Sequence, residues 1–336
     1  MGNVTIKDVA KRANVSITTV SLVLNNKAQN ISKETIENVR RACRELNFER
    51  NHLATSLKTK VSYTIGLILP EIDNGYYSRI VSCLDSILSE KGYRLFTVFS
   101  NNDFKREIEL YDLMVSRRVD YLLILPSSSS LLIENKKTLE EALNNIPIKF
   151  VILDRKTKLN HHVEVVNDDR YGASLAIEYL ISKNHKRIAC ITGPHNVSSS
   201  DERLQGYKET LKKHNISFDK TLVYEGDYSF DKSRDLSLEL LKRKDVDAVF
   251  AFNDTSAYAL YEVCNLYGLK VGKDISVVGF DDNKFSNLIS PSLTSIRQDI
   301  RTICQTAVKE LFNDDNTSKV IDIAPTLVER ESVSEN

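Results

Sequence analysis

The apolar positions of the first 47 residues fall on helical stripes, and from Tyr63 onward they switch to short strand-like runs. Thr5 followed by Asp8 forms a capping pair ahead of IKDVAKR and predicts a first helix. After a break at Ala13, Asn14 and Val15, Ser16 is placed to cap ITTVSLVLN, where Val20 and Leu24 lie four apart. Ser32 is placed to cap a third helix, in which Ile36, Val39, Cys43 and Leu46 form one stripe. Three such helices can share one small core. A polar second helix after a tight turn predicts a helix-turn-helix. Residues 48–60, FERNHLATSLKTK, carry Asn51 as a cap and Leu53 and Leu57 four apart. That segment is too short to be helical alone and reads as a hinge that orders against a partner.

The strand-like runs are YTIGLIL, RLFTVF, DYLLIL, KFVILD, RIACITG, DAVFAF and ISVVGF. Amphipathic helices are expected over 76–91, 104–117, 138–145, 170–183, 201–214, 230–244 and 254–267. Strands alternating with helices predict βαβ units and parallel sheet. Runs that are apolar throughout suit strands covered on both faces. The pattern extends over about 270 residues, more than one doubly wound sheet needs, so two similar lobes are expected. Polar loops follow the strands at Pro70–Asn74, Pro126–Ser130, Asp154-Arg155, Gly193–Ser200, Asn253-Asp254 and Asp281-Asp282. Ligands gather at the carboxyl ends of parallel strands, which places a site between the lobes.

Formal net charge is zero, but its distribution is not even. Residues 1–60 hold eleven Lys and Arg against five acids, an excess of +6, leaving −6 for the remainder. A basic head on a mildly acidic body is the footprint of a phosphate-binding module joined to something else. The five cysteines are scattered and odd in number, with no C-x-x-C, which fits buried free thiols in a reducing compartment. The start lacks an apolar h-region, and no run nears a membrane span, so a cytoplasmic chain without membrane contact is expected. No G-x-G-x-x-G follows the first strand, and Walker A, H-E-x-x-H and G-x-S-x-G motifs are missing. Neither an enzyme nor a cofactor is expected. His185, His195 and the pair His161-His162 lack metal spacing and are expected at the surface, with no metal site.

The segment Thr5–Asn25, TIKDVAKRANVSITTVSLVLN, together with NHLATSLKT, resembles the lactose-repressor/galactose-repressor (LacI/GalR) family of bacterial transcription regulators. IGLILPEIDNGYY, Asp154-Arg155, RLQGY, FNDTSA, DISVVGFDD, SPSLTSIRQ and LVERES follow in that family's order, so the likeness covers essentially the whole chain. It implies an all-α helix-turn-helix DNA-binding domain over 1–47, a hinge over 48–61 and a two-lobed α/β effector domain over 62–336. That last domain is periplasmic-binding-protein-like, with parallel sheets flanked by helices. Lobe 1 is expected at about 62–160 and 293–320, and lobe 2 at about 161–292 and 321–336. The resemblance further implies a homodimer on a palindromic double-stranded operator, acting as a repressor governed by a small effector, expected to be a carbohydrate. The chain stops shortly after Arg330 without a heptad helix, which favours a dimer over a tetramer.

On the DNA side the resemblance places Ser16, Ile17, Thr18, Ser21 and Leu22 at base edges. Hydroxyls donate or accept there, while Ile17 and Leu22 suit thymine methyls. Leu22 stands where relatives often carry Arg, so weaker guanine discrimination is expected at the matching base. Thr5, Thr19, Asn25 and Ser32 are expected on phosphates, partly through helix N-termini. Leu57 matches the family's intercalating leucine, Ala54 permits close hinge approach, and Lys58 suits the minor groove. Arg50 replaces the usual Pro.

On the effector side Arg203, Asn253 and Asp281 match polar contacts, a donor–acceptor mixture suited to a polyol. Tyr76 and Tyr77 replace the family's aromatic pair, and one is expected to stack on a sugar face. Gly75 replaces a Pro and is expected to loosen that loop. Asn74 is a further expected contact, with Asp73, Asp154 and Arg155 balanced against structural roles. Asp254 is expected to cap a helix, and Ser127–Ser130 to be a solvated loop. Two other readings stand beside this one. A regulator controlled by a phosphoprotein corepressor fits the same residues, whereas a solute-binding receptor for transport does not account for residues 1–60.

Leu57→Ala is expected to lower operator affinity at least about tenfold, because the wedge between base steps is lost. Effector affinity is expected to stay unchanged, which parallel titrations with both ligands check.

Overall fold

The computed structural model describes residues 4–24, 28, 30–46, 48, 61–159, 162–315 and 317–336. Asn25, Ala54, Leu57 and Lys58, with most of the expected hinge, lie outside the described residues. The chain divides into two compact units, Met1–Ser62 and Tyr63–Asn336.

In the first unit α1 (Ile6–Ala13), α2 (Ile17–Leu24) and α3 (Lys33–Glu45) surround a core of Val9, Ala10, Val20, Val23, Val39 and Ala42. The backbone N–H and hydroxyl of Thr5 both donate to Asp8, at 2.8 and 2.7 Å. Ser16 Oγ accepts from the Thr19 N–H at 3.0 Å, and Ser32 Oγ accepts from the Thr35 N–H at 3.2 Å. These hydroxyls satisfy N–H groups that a helix start otherwise leaves unpaired. Asn14 adopts φ 53°, the left-handed turn between α1 and α2.

The second unit holds two six-stranded sheets, with strands β1 (Thr64–Leu69), β2 (Arg94–Phe99), β3 (Tyr121–Ile124), β4 (Phe150–Asp154), β5 (Val163–Asn167), β6 (Ile188–Thr192), β7 (Val223–Glu225), β8 (Ala248–Ala251), β9 (Ser276–Phe280), β10 (Thr294–Arg297), β11 (Lys319–Ile323) and β12 (Thr326–Val328). Lobe 1 has the order β11-β5-β4-β3-β1-β2, all parallel. Lobe 2 has the order β12-β10-β9-β8-β6-β7, parallel except for the β10–β12 pair. The helices of the second unit are α4 (Gly75–Glu90), α5 (Phe104–Ser116), α6 (Lys136–Asn144), α7 (Asp169–Ser182), α8 (Ser198–Lys213), α9 (Phe230–Leu240), α10 (Asp254–Leu266) and α11 (Ile300–Phe312). Each sheet is covered on both faces by separate apolar clusters.

The expected lobe boundaries need correction. β5 falls in the range expected for lobe 2 yet pairs with β4 and β11 in lobe 1. β10 falls in the range expected for lobe 1 yet pairs with β9 in lobe 2. Ile321–Ile323 also belong to lobe 1, through β11. Ladder partners decide which sheet a strand joins, and the chain crosses between lobes directly after β5, β10 and β11. The Asp168 N–H donates to the Ile323 carbonyl at 2.9 Å, tying two crossings together.

Other expectations also change. His185 is buried, its Nε2 3.0 Å from the Ser334 carbonyl oxygen, rather than at the surface. Ser127 and Ser130 are buried too, because Glu107 Oε2 accepts from the Ser127 N–H at 2.8 Å and the two hydroxyls lie 2.6 Å apart. Cys190, Cys264 and Cys304 are buried, while Cys43 and Cys83 are half-buried, and all five are free thiols.

Gly206 sits where α8 crosses α7. A Cβ there would lie 2.3 Å from the Arg170 carbonyl oxygen and 3.0 Å from the Ala173 Cβ. Gly206→Ala is therefore expected to destabilise the chain by about 1–3 kcal/mol through overpacking. The shift of the denaturant midpoint measures it, and an unchanged midpoint contradicts the close crossing.

Candidate effector cleft and DNA-reading helix

The carboxyl ends of strands from both lobes face one cleft holding about 480 Å³ of free space, part of it open to solvent. Asn74, Tyr76, Tyr77, Arg203, Asn253 and Asp281, all expected from sequence, line it together. Asp154, Arg155, Ser128, Tyr228 and Gln298 line it as well. Asp73 is exposed and does not line it.

Lobe 2 supplies Arg203 from α8. Its Nε and Nη2 lie 2.8 and 2.7 Å from Asp169 Oδ1, and Nη1 donates to the Phe252 carbonyl. The guanidinium carbon is 3.5 Å from the centroid of the Phe280 ring. Phe280 thus gives the cation a polarisable floor while Asp169 fixes its plane. Burial pushes Asp169 up to about 6, with Arg203 acting against that shift. Burial likewise raises Asp281 well above the ordinary carboxylate range, again opposed by Arg203.

Asn253 is the N-cap of α10. Its Oδ1 accepts from the Ser256 N–H at 2.9 Å and its Nδ2 donates to the Tyr228 carbonyl at 3.0 Å. The capping role expected of Asp254 belongs to Asn253, one residue earlier. Asp254 instead accepts from the Asn283 N–H and the hydroxyls of Ser286 and Ser295, at 2.7, 2.6 and 2.6 Å. It ties the loop after β9 to β10, and burial raises its pKa to about 6.

Asp281 and Asp282 both have positive φ, 107° and 49°. Strain of this kind persists where the surroundings over-determine it. Asp282 is held by Arg297 and Arg330, each at 2.6 Å, and Asp281 Oδ1 accepts from Gln298 Nε2 at 2.7 Å. The second aspartate is a clamp, and the first is left facing the cleft.

Lobe 1 supplies Arg155, directly after β4. Its Nη1 donates to the Pro126 carbonyl at 2.9 Å and to Ser128 Oγ at 3.2 Å, and its Nη2 donates to the Tyr77 hydroxyl at 2.9 Å. Asp154 lies 3.5 Å from its Nε. Asn74 caps α4 by accepting from the Tyr76 N–H at 2.9 Å. The Tyr76 and Tyr77 rings are tilted against each other, centroids 5.6 Å apart. Gly75 does not loosen this loop but admits Asn283, whose Oδ1 would be 2.9 Å from a Cβ there. Arg79 Nη1 spans the lobes by donating to the Asp281 and Asp282 carbonyls at 3.0 and 2.9 Å.

Several cleft atoms are left over. The Tyr76 hydroxyl lies beside the Asp154 carboxyl without a hydrogen bond of good geometry. Arg155 Nε and Gln298 Oε1 are also buried without a hydrogen-bond partner. Gln298 escaped the sequence reading because β10, which delivers it, is a four-residue run of mixed polarity.

On the first unit, Ser16, Ile17, Thr18 and Leu22 are exposed, and Ser21 is half-buried. Val20 and Val23 turn inward on the opposite face of α2. Ile17 and Leu22 are 45% and 37% exposed, so the outward face of α2 mixes aliphatic and hydroxyl groups. Thr5 and Ser32 are exposed at the starts of α1 and α3, while Thr19 is half-buried and shares a hydrogen bond with Ser16. Lys7, Lys11, Lys33, Arg40 and Arg41 are exposed cations of the same unit.

Residues 5–51 match the bacterial regulatory proteins of the lacI family, and residues 177–333 match the periplasmic binding protein-like domain. The chain is 31% identical to the HTH-type transcriptional repressor PurR of Vibrio atlanticus (strain LGP32), over 98% of each chain. It is similar to the lac repressor dimer bound to operator and the anti-inducer ONPF, at 28% identity and a TM-score of 0.83, over 99% of this chain and 100% of that one. It is also similar to the transcriptional regulator CelR in its cellobiose complex, at 29% identity and a TM-score of 0.72, over 98% and 100%. Among the described residues no helix is long and apolar enough to cross a membrane. The chain belongs to the lacI family of bacterial regulatory proteins: it is a DNA-binding transcriptional repressor with a ligand-binding effector domain, and not an enzyme.

Proposed function

We propose that the effector is a neutral sugar, bound in the cleft between the lobes, and that it sets the affinity of a homodimer for a palindromic operator. One observation carries this reading. The cleft offers donors and acceptors in mixture: Gln298 Oε1 is buried without a hydrogen-bond partner, and the Tyr76 hydroxyl and Arg155 Nε have only the Asp154 carboxyl beside them, without a well-formed hydrogen bond. Hydroxyl groups both donate and accept, so a polyol satisfies carboxylate, amide and guanidinium together. Tyr76, Tyr77 and Tyr228 line the cleft, and one of their rings is assigned to sugar C–H groups.

Charge argues for neutrality. Glu71, Asp154, Asp227 and Asp281 line the cleft against Arg155 and Arg203, and both arginines are already engaged by protein acceptors. A phosphate would meet more carboxylates than free cations. CelR, which resembles this chain, is described with cellobiose, consistent with a carbohydrate ligand. On the DNA side, Ser16, Ile17, Thr18, Ser21 and Leu22 are assigned to base edges, and Thr5, Thr19 and Ser32 to phosphates. Selection of bound sites from random DNA is expected to return no invariant guanine opposite Leu22, since leucine has no donor for it.

Thermal-shift screening and calorimetry against neutral sugars, sugar phosphates and purine bases test the effector. One neutral sugar is expected to raise Tm by several degrees, as tight binding at about 100 times Kd adds about 2.7 kcal/mol. Arg203→Ala and Asp281→Ala are each expected to weaken that binding at least about tenfold. A response confined to sugar phosphates or purine bases contradicts the proposal, and no response across the panel favours a protein corepressor.

A further inference from the structure

The turn that delivers Asp281 to the cleft is held from the opposite lobe. Asp281 and Asp282 follow β9 in lobe 2 with φ values of 107° and 49°, a conformation that residues other than glycine rarely adopt. Lobe 2 itself restrains the amides and side chains of this turn. The Asp281 N–H donates to the Ile296 carbonyl at 2.8 Å, the Asp282 N–H to Ser295 Oγ at 3.1 Å and the Asn283 N–H to Asp254 Oδ2 at 2.7 Å. Arg297 and Arg330 grip the Asp282 carboxylate, and Gln298 Nε2 donates to Asp281 Oδ1. The carbonyls of Asp281 and Asp282 are served from lobe 1 instead. Both accept from Arg79 Nη1, at 3.0 and 2.9 Å.

Arg79 lies on α4, beside Tyr77 and Ile80, which are buried in the core of lobe 1. It is half-buried and is not among the residues that line the cleft. Hydrogen bonds from a charged nitrogen are stronger than neutral ones, and here one such nitrogen orients two successive peptides. The peptide after Asp281 is thereby fixed, and with it the backbone on which the Asp281 carboxyl stands. Asn283 marks the same seam. It is buried, its Oδ1 has no hydrogen-bond partner, and that oxygen would lie 2.9 Å from a Cβ at Gly75, the first residue of α4. The first turn of α4 and the strained turn of lobe 2 are therefore in direct contact.

We propose that Arg79 is a positioning residue: from lobe 1 it holds the Asp281-Asp282 turn of lobe 2, so that the Asp281 carboxyl is set in the cleft only while the lobes stand at this spacing. Its consequence for binding rests on the proposed function, in which Asp281 meets the effector. Arg79 itself does not touch the effector. When the lobes separate, the guanidinium leaves the turn, two carbonyls lose their donor and the strained backbone relaxes. Lobe spacing and the aim of one cleft carboxyl then change together, which is the differential contact that a ligand needs to favour one spacing over another.

Hydrogen exchange of the full chain without ligand, read by mass spectrometry in Arg79→Met and Arg79→Lys, tests this. Methionine keeps an unbranched aliphatic stem and removes the donors, whereas lysine keeps a charged donor. Arg79→Met is expected to speed exchange of the amides of 281–283 at least about tenfold, the size of a lost hydrogen bond to a charged group. The amides of β6 and β8, deep in the same lobe, are expected to change less than about twofold. Arg79→Lys is expected to return the 281–283 amides to within about threefold of the unsubstituted chain. Calorimetry with the neutral sugars of the thermal-shift panel adds a second arm, where Arg79→Met is expected to weaken binding at least about fivefold. No acceleration at 281–283, equal acceleration in β6 and β8, no rescue by lysine, or a sugar affinity that ignores Arg79→Met overturns the proposal. A chain that binds no neutral sugar contradicts the proposed function instead, and the exchange rates then decide the role of Arg79 alone.

Discussion

Two guanidinium groups stand in the cleft with almost no access to water. A buried charge that loses its partner costs about 3–5 kcal/mol, so the protein has to supply acceptors in fixed positions. For Arg203, carried on α8, these come from three places in lobe 2: Asp169 at the start of α7, the Phe252 carbonyl at the end of β8 and the Phe280 ring at the end of β9. Gly206 lets α8 approach α7 closely enough for the first contact. For Arg155 in lobe 1 they come from Pro126, Ser128, Tyr77 and Asp154. Holding these two cations still also fixes the ends of the strands that form the site.

Fixed cations and buried carboxylates make the cleft a preorganised polar surface rather than a greasy pocket. Such a surface binds a ligand by completing bonds that the protein leaves open, and it rejects a ligand that leaves them open. Arg79 adds a second property, because it joins α4 of lobe 1 to the loop after β9 in lobe 2 beside the ligand space. A ligand that prefers one spacing of the lobes shifts their equilibrium by its difference in affinity, and no further. In the proposed function the same coupling free energy appears in operator binding.

Much of this was legible beforehand. The three N-terminal helices and their caps followed from Thr5, Ser16 and Ser32, because capping is local chemistry between residues three apart. The long apolar strands of both sheets followed from their uniform composition. Polar positions at strand ends pointed to Asn253 and Asp281, as the parallel-sheet rule anticipates, while Arg203, which sits within α8, was expected only from the family resemblance. What escaped depends on long-range pairing. β5 carries the buried Glu164, satisfied by the Thr157 N–H and hydroxyl, so its pattern does not read as a core strand. β10, β11 and β12 are short, and only their ladders assign them to a lobe. Ser127–Ser130 looks like a solvated loop until Glu107, twenty residues before Ser127, is brought beside it.

Operator affinity measured across a titration of the sugar found to bind, at fixed salt, tests the central claim most directly. The account predicts a change of about fivefold or more, and an equal change in sugar affinity when saturating operator is present. An operator affinity that ignores a sugar bound in the cleft, or two factors that disagree, would contradict it.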